Sequence, residues 1–424
     1  PSRLYTVCFA RRGRCGMLRF SGGPSMSGTA PASSSVIQKS VGRVISIDAL
    51  RGFDMFWIAG GEGVVGALNS ASQSPTMDFF TRQLHHVRWQ GFVFYDLIFP
   101  LFVFLVGMSI VFSLDRIIEK EGLRAAHMRI VRRFGLLYLF AILKDSGIGD
   151  LASESPFSGV LQRMAWCYVF TALLYCNLKR RGLAIAFAVI LIGYWGLNAF
   201  VPAPGETTIS YSSEKNIVTW FDSQYMPFRE AGQRSDPEGV LSTFSAVATC
   251  LLGVFAGYAM RNPKLVPWKR AAGFIAIGVV LIAIGYGWAG SMDSHMWDKG
   301  PDYPSPDAGL LWWQVPIIKR LWTSSYVILA GGYSCVLVGL FSMVIDVLKF
   351  ERWAIPFIWI GANPLAVYLA QDFIRFDDLG NRIAGGPFAA MFGSYAPLIP
   401  AAATVVCVFL FARFLYTRQI FLRV

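Results

Sequence analysis

Apolar runs of about 20 residues recur along nearly the whole chain, and a run that long is what a helix needs to cross the hydrocarbon core of a bilayer. We read ten of them, at 52–69, 92–114, 130–145, 158–177, 183–201, 240–260, 270–290, 322–347, 354–371 and 397–416, the third being the shortest. Composition agrees: 54% of the 424 residues are hydrophobic and 15% are charged, against about a quarter charged in soluble domains. The sequence predicts an all-α, polytopic transmembrane helix bundle that forms a single domain from 44 to 424. Residues 1–43 are basic and rich in Gly, Ser and Arg, without an apolar core of signal-peptide length. They read as a disordered tail, with Met17 and Met26 as alternative starts.

The formal net charge of +12 sits in alternate loops rather than on one continuous face, so nucleic-acid binding is not expected. Arg116, Lys120, Arg124, Arg129, Arg132 and Arg133 follow the second run, Lys179 to Arg181 follow the fourth, and Arg261, Lys264, Lys269 and Arg270 follow the sixth. The loops between carry Asp145, Asp150 and Glu154, then Glu206, Glu214 and Asp222, then Asp293 and Asp298. With ten spans, the positive-inside rule places both termini in the cytoplasm. Seven cysteines are present: Cys8 and Cys15 in the tail, the others inside apolar runs. That is no disulfide framework, no Cys/His spacing suggests a metal site, and the buried cysteines read as small hydrophobes.

Ionisable residues inside apolar runs mark functional sites by default. The first run opens with Asp48, Arg51 and Asp54, whose spacing of three puts each beside the next on one helical face. They make either a structural ion cluster, with Arg51 snorkelling, or an anion contact. Glu62 follows eleven residues after Arg51, about 16 Å further along a helix, within Gly60–Gly63. It must face the bundle or an aqueous cavity. His85 and His86, two of four histidines, precede the second run, with Trp89 at the interface and Asp96 just inside. A histidine there is either an interfacial loop residue or a proton-transfer group that Asp96 or Glu62 holds in one tautomer. Pro100 is expected to kink the second run. Gln162 and Arg163 open the fourth run, Arg163 being an anion partner or a snorkelling residue. Asp236, Pro237 and Glu238 are a good helix start. Lys319 and Arg320 precede the eighth run, and Asn363–Pro364 within the ninth implies a broken helix. A polar cavity lined by Glu62, His86, Asp96, Arg163, Lys319 and Asn363 is the expectation.

Several segments carry a resemblance. SIDALRGFDMF, HVRWQGFVFYDLIFPLFVFLVGMSI, GVLQRMA, SDPEGVLSTFSAVATCLLGVFAG, KRLWTSSYV and GANPLAVY occur in the order found in the heparan-alpha-glucosaminide N-acetyltransferase family and its bacterial relatives, from about Val44 to the C-terminus. The resemblance implies a membrane bundle that moves acetyl from cytosolic acetyl-CoA, or another acyl-CoA, to an amine or hydroxyl of an extracytoplasmic sugar or glycan. It implies a multi-pass protein of a bacterial inner membrane, with the bilayer, the acyl-CoA and the glycan as partners, a homodimer as one oligomeric option, and no metal. The family's active-site histidine lies three residues before the Trp of the HxxWxG segment, which is His86. Asp96 and Glu62 would orient it, and Arg51, Arg163, Lys319 and Asn363 would hold the acyl-CoA. The chain departs from the family where GGEG stands in place of a catalytic Asn. Two other readings remain: an O-acetyltransferase of surface polysaccharide from a different membrane family that shares the Asp-x-x-Arg-Gly segment, and a transporter of a small anion or sugar. Acetyl-CoA-dependent acyl transfer separates an enzyme from a transporter.

Overall fold

The computed structural model describes residues 44–72, 74–145, 159–225, 238–290 and 310–422; the basic tail, Asp236 and Pro237 lie outside the described residues. The regular structure among the described residues is helical, apart from one isolated β-bridge. In chain order come α1 (Ile45–Phe56), α2 (Glu62–Ser72), α3 (Pro75–Gln83), α4 (Phe94–Glu121), α5 (Leu123–Asp145), α6 (Val160–Asn177), α7 (Arg180–Phe200) and α8 (Ile217–Tyr225). There follow α9 (Val240–Arg261), α10 (Pro267–Ala289), α11 (Ser324–Phe341), α12 (Ile355–Gly361), α13 (Pro364–Ile374), α14 (Phe376–Ala384), α15 (Gly386–Ala390) and α16 (Leu398–Thr417).

The expectation of ten spans is corrected. Among the described residues six helices are long and apolar enough to cross a membrane: Phe94–Glu121, Arg180–Phe200, Val240–Arg261, Pro267–Ala289, Ser324–Val347 and Gly393–Thr417. A seventh is reached if the pair Arg352–Gly361 and Pro364–Ile374, bent by 71°, counts as one. The first run is interrupted by a π-helical turn at Trp57–Gly61, where Gly60 takes φ 130°. This leaves α1 with 12 residues, about 18 Å of helix against a hydrocarbon core of about 30 Å. The third run lies in α5, whose first half carries Arg124, Arg129, Arg132 and Arg133. The fourth is α6, which spends Gln162, Arg163 and Asn177 of its 18 residues on polar side chains. Hydropathy over a window registers apolar content and misses these breaks. With six or seven crossings, the loop pairing that put both termini in the cytoplasm no longer follows.

Helix α10 packs along α11, α4 along α9, α1 along α12 and α5 along α6. The α4–α9 crossing depends on glycine from both sides. A Cβ on Gly107 of α4 would fall inside the Cys250 carbonyl of α9, and one on Gly253 would fall inside the Phe104 carbonyl. Small residues let helix backbones approach closely where no hydrophobic effect drives them together. Helix α4 runs unbroken through Pro100. The chain does break at Asn363, where α12 ends and α13 begins.

Candidate functional site

Two loops far apart in sequence build the site. The first joins α3 to α4 and carries His85 and His86. Trp89 anchors it: the indole is buried and its N–H donates to the Tyr211 carbonyl at 2.8 Å. The second, residues 310–323, leads into α11. The Thr323 hydroxyl donates to the Pro316 carbonyl at 2.9 Å and accepts from the Ile318 N–H at 3.2 Å. Its Trp322 is fully buried and donates to Thr249 at 3.0 Å. An antiparallel bridge between Gln90 and Ile318 ties the loops together, with Gly91 N–H donating to the Ile317 carbonyl at 3.0 Å. Gly91 has φ 132°, a conformation that side chains resist. This bridge brings His86 to Lys319 across 233 positions of sequence.

Asp96 lies between them. It is the third residue of α4, and its side chain is fully buried. One oxygen, Oδ2, accepts from the backbone N–H groups of Val93 at 3.4 Å and Val87 at 3.5 Å. A carboxylate at a helix N-terminus also gains from the orphan amides and the helix dipole. The other oxygen, Oδ1, accepts from His86 Nδ1 at 2.8 Å and from Lys319 Nζ at 3.3 Å. Across the opening of this fork, Lys319 Nζ stands 3.1 Å from Nδ1 and 3.5 Å from Nε2 of the imidazole. The Asp96 contact selects the tautomer with the proton on Nδ1, so the lone pair sits on Nε2. His86 is half-exposed to the cavity. Burial pulls the Lys319 ammonium below the usual lysine range, and Asp96 opposes that pull. Tyr326 donates from its hydroxyl to the Asp96 backbone carbonyl at 2.7 Å, which fixes the start of α4 against α11.

A cavity of about 700 Å³ opens from this cluster. His86, Lys319, Glu238 and Tyr95 line one end. Its flank follows α4 from Tyr95 to Ser113, about 27 Å of helix. The waist is apolar, with Phe99, Phe102, Leu105 and Met164. At the far end stand Asp48, Arg51, Arg129 and Arg133. Arg51 is held by Asp48 at 3.3 Å and by Ser109, while Arg133 lies over the Tyr168 ring at 4.3 Å. Asp54 does not join this group; it is buried on α1, with Oδ2 left without a hydrogen bond.

The residues singled out from the sequence therefore separate. His86, Asp96 and Lys319 form one cluster, and Arg51 lies at the opposite end of the same cavity. Glu62 reaches His86 only indirectly: it lies beside Tyr95, whose ring packs on His86 with centroids 4.7 Å apart. Arg163 lies behind the lining, its guanidinium over Trp322 at 4.9 Å and hydrogen-bonded to Ser242. Asn363 clamps the C-terminal segment, donating to the Ile420 carbonyl and accepting from the Leu422 N–H, both at 3.0 Å. His85 turns to the Thr81 carbonyl at 2.7 Å. Sequence reasoning missed Tyr95 and treated Arg129 and Arg133 as loop charge. Tyr95 sits next to Asp96 in the chain, which was the available signal. Among the described residues no cluster of His, Cys, Asp and Glu is arranged to hold a metal.

A family described as a domain of unknown function (DUF5009) matches residues 43–184, which contain α1 to α6 and therefore His86, Asp96 and Arg51. The chain is 24% identical over 342 residues to human (Homo sapiens) heparan-alpha-glucosaminide N-acetyltransferase, covering 68% of this chain and 48% of the relative. The mouse (Mus musculus) enzyme of the same name is 24% identical over 345 residues, covering 68% and 49%. The chain thus spans about half the length of the curated relatives it matches. It is a helical, multi-pass membrane protein distantly related to the heparan-alpha-glucosaminide N-acetyltransferase family.

Proposed function

We propose that the chain is a membrane acyltransferase that takes an acyl group, in the first place acetyl, from a cytosolic acyl-CoA and delivers it to an amine or hydroxyl of an extracytoplasmic sugar or glycan. The observation that carries this reading is one cavity with two chemically unlike ends. An acyl-CoA is a molecule of the same pattern: a polyphosphate head, a long thin arm and a thioester. Arg51, Arg129 and Arg133 suit the phosphates, since guanidinium forks pair with phosphate oxygens in two places at once. The apolar waist suits the arm, and the thioester then lies at His86.

At that end His86 Nε2 carries the free lone pair. It acts as general base on the acceptor's amine or hydroxyl, or as the nucleophile that first takes the acyl group. Asp96 holds the ring and stabilises the positive charge that develops on it. Lys319 balances the charge of the buried Asp96, which would otherwise be costly to keep ionised. Arg163 supports the wall through Trp322 rather than by contact with the donor. Glu62 reaches the acceptor side of His86 through Tyr95.

The test is acetyl transfer from labelled acetyl-CoA by the purified chain in vesicles, with sugar amines and hydroxyls as acceptors. Wild type transfers, and His86→Ala does not while staying folded in the membrane. A chain that moves a sugar or anion across the vesicle with no need for CoA is a transporter, and the proposal falls.

A further inference from the structure

Lys319 holds a position that balancing Asp96 does not require. Its Nζ stands 3.1 and 3.5 Å from the two imidazole nitrogens of His86, and it lines the same cavity. Among the described residues that line the cavity it is the sole lysine. A donor whose thioester lies within reach of His86 therefore lies within reach of a primary amine too. Reacting atoms held about 3–3.5 Å apart are near attack geometry, and such placement is worth a large effective concentration.

We propose that Lys319 is an internal acyl acceptor: with no sugar in place, the donor acylates its Nζ and forms a stable amide. The inference rests on the acyltransferase reading above. In the balanced step the ammonium first gives a proton to water in the cavity. Nζ then attacks the thioester carbon, the C–S bond breaks, and the C–N bond forms. CoA leaves as the thiolate, and His86 carries the second amine proton to it. No oxidant, metal or further co-reactant is needed. Burial of Lys319 favours the neutral amine that attacks, and its ion pair with Asp96 slows that loss of a proton.

The product has a consequence for the site. An amide at Lys319 carries no charge, so Asp96 loses its cationic partner and His86 gains an acyl group against its ring. Self-acylation therefore silences the enzyme when donor is present and acceptor is scarce. A turn in which the Trp322 backbone N–H donates to the Lys319 carbonyl at 2.9 Å fixes the main chain there, and no other described lysine lines the cavity.

The experiment incubates the full chain with acetyl-CoA and no acceptor, then maps acetylation by digestion and mass spectrometry. Lys319 is expected to be acetylated at least about tenfold above exposed Lys120 and Lys264, as a placed amine should be. The label resists hydroxylamine, as an amide does, and falls to the level of those lysines in His86→Ala. Lys319→Arg, which keeps the charge, loses it, and wild type loses activity in step with the label during pre-incubation with donor. An unlabelled Lys319 in a protein that releases CoA through His86 overturns this inference alone. Label that persists in His86→Ala also overturns it, since it is then ordinary chemical acetylation. CoA release that is equal in wild type and His86→Ala removes the acyltransferase reading itself.

Discussion

The two ends of the cavity are built by different means. At the His86 end, loops are locked by a β-bridge, two buried tryptophans and a carboxylate that satisfies two backbone N–H groups and two side chains. At the arginine end, the charges stand on helices: Arg51 on α1, and Arg129 and Arg133 on α5, with Arg129 exposed. Chemistry needs atoms placed within tenths of an ångström, and buried hydrogen bonds deliver that. Recognition of a polyanion needs charge of the right sign nearby, and helix-borne arginines, Arg129 exposed and Arg51 and Arg133 half-buried, deliver that with some tolerance for position. The contrast predicts that substitutions at the first end change turnover, and substitutions at the second change apparent donor affinity.

The strongest way to break the contrast is at His86. His86→Ala is expected to lower kcat by about 10²- to 10⁴-fold, the usual weight of a general base, with donor KM little changed. A rise in KM alone would move His86 into the binding site and erase the distinction. Asp96→Asn is expected to lower kcat by about 10²-fold, since the ring loses its anionic partner. Asp96 also caps α4, so the same variant should lose about 1 kcal/mol of stability in thermal unfolding. An equal loss of stability without loss of kcat would make Asp96 a capping residue only.

At the other end, Arg129→Gln with Arg133→Gln is expected to raise the KM for acetyl-CoA about tenfold, or about 1.4 kcal/mol, at unchanged kcat. Added salt should shrink that difference, because exposed charge is screened. Sensitivity of kcat instead of KM would show that the ends are coupled. Tyr95→Phe keeps the ring on His86 and removes the hydroxyl beside Glu62; a loss of about 1 kcal/mol, or about fivefold in kcat/KM, is expected for one polar contact. Asn363→Ala is expected to have the smallest kinetic effect. It frees the Ile420–Leu422 segment from two hydrogen bonds and should cost about 1–2 kcal/mol in unfolding with kinetics near wild type.

Much of the site was legible one residue at a time. His86 beside Trp89, Asp96 at the head of a helix, and Asn363–Pro364 inside an apolar run each announce themselves by type and place. What they touch was not legible. Asn363 faces the C-terminal segment and Arg163 faces Trp322 because of how distant helices cross, and no spacing rule carries that information. Glu62 looked like a partner for His86, but the π-helical turn before it and the Tyr95 ring intervene. The number of spans was overread for a related reason: a helix can lose its register at Gly60, or carry its charge along α5, inside a stretch that is still mostly apolar.

The sequence by itself determined the solvent and the class. Long apolar runs with few charges can satisfy their backbone in lipid only as helices, so the chain must be a helical membrane protein. The tertiary structure decided which polar residues share a site. Lys319 reaches His86 because Gln90 pairs with Ile318, and Arg51 and Arg133 share one end of the cavity although α1 and α5 are far apart in the chain. Hydropathy acts on each segment alone, whereas a site is a set of contacts between segments, and those are fixed only when the helices have packed.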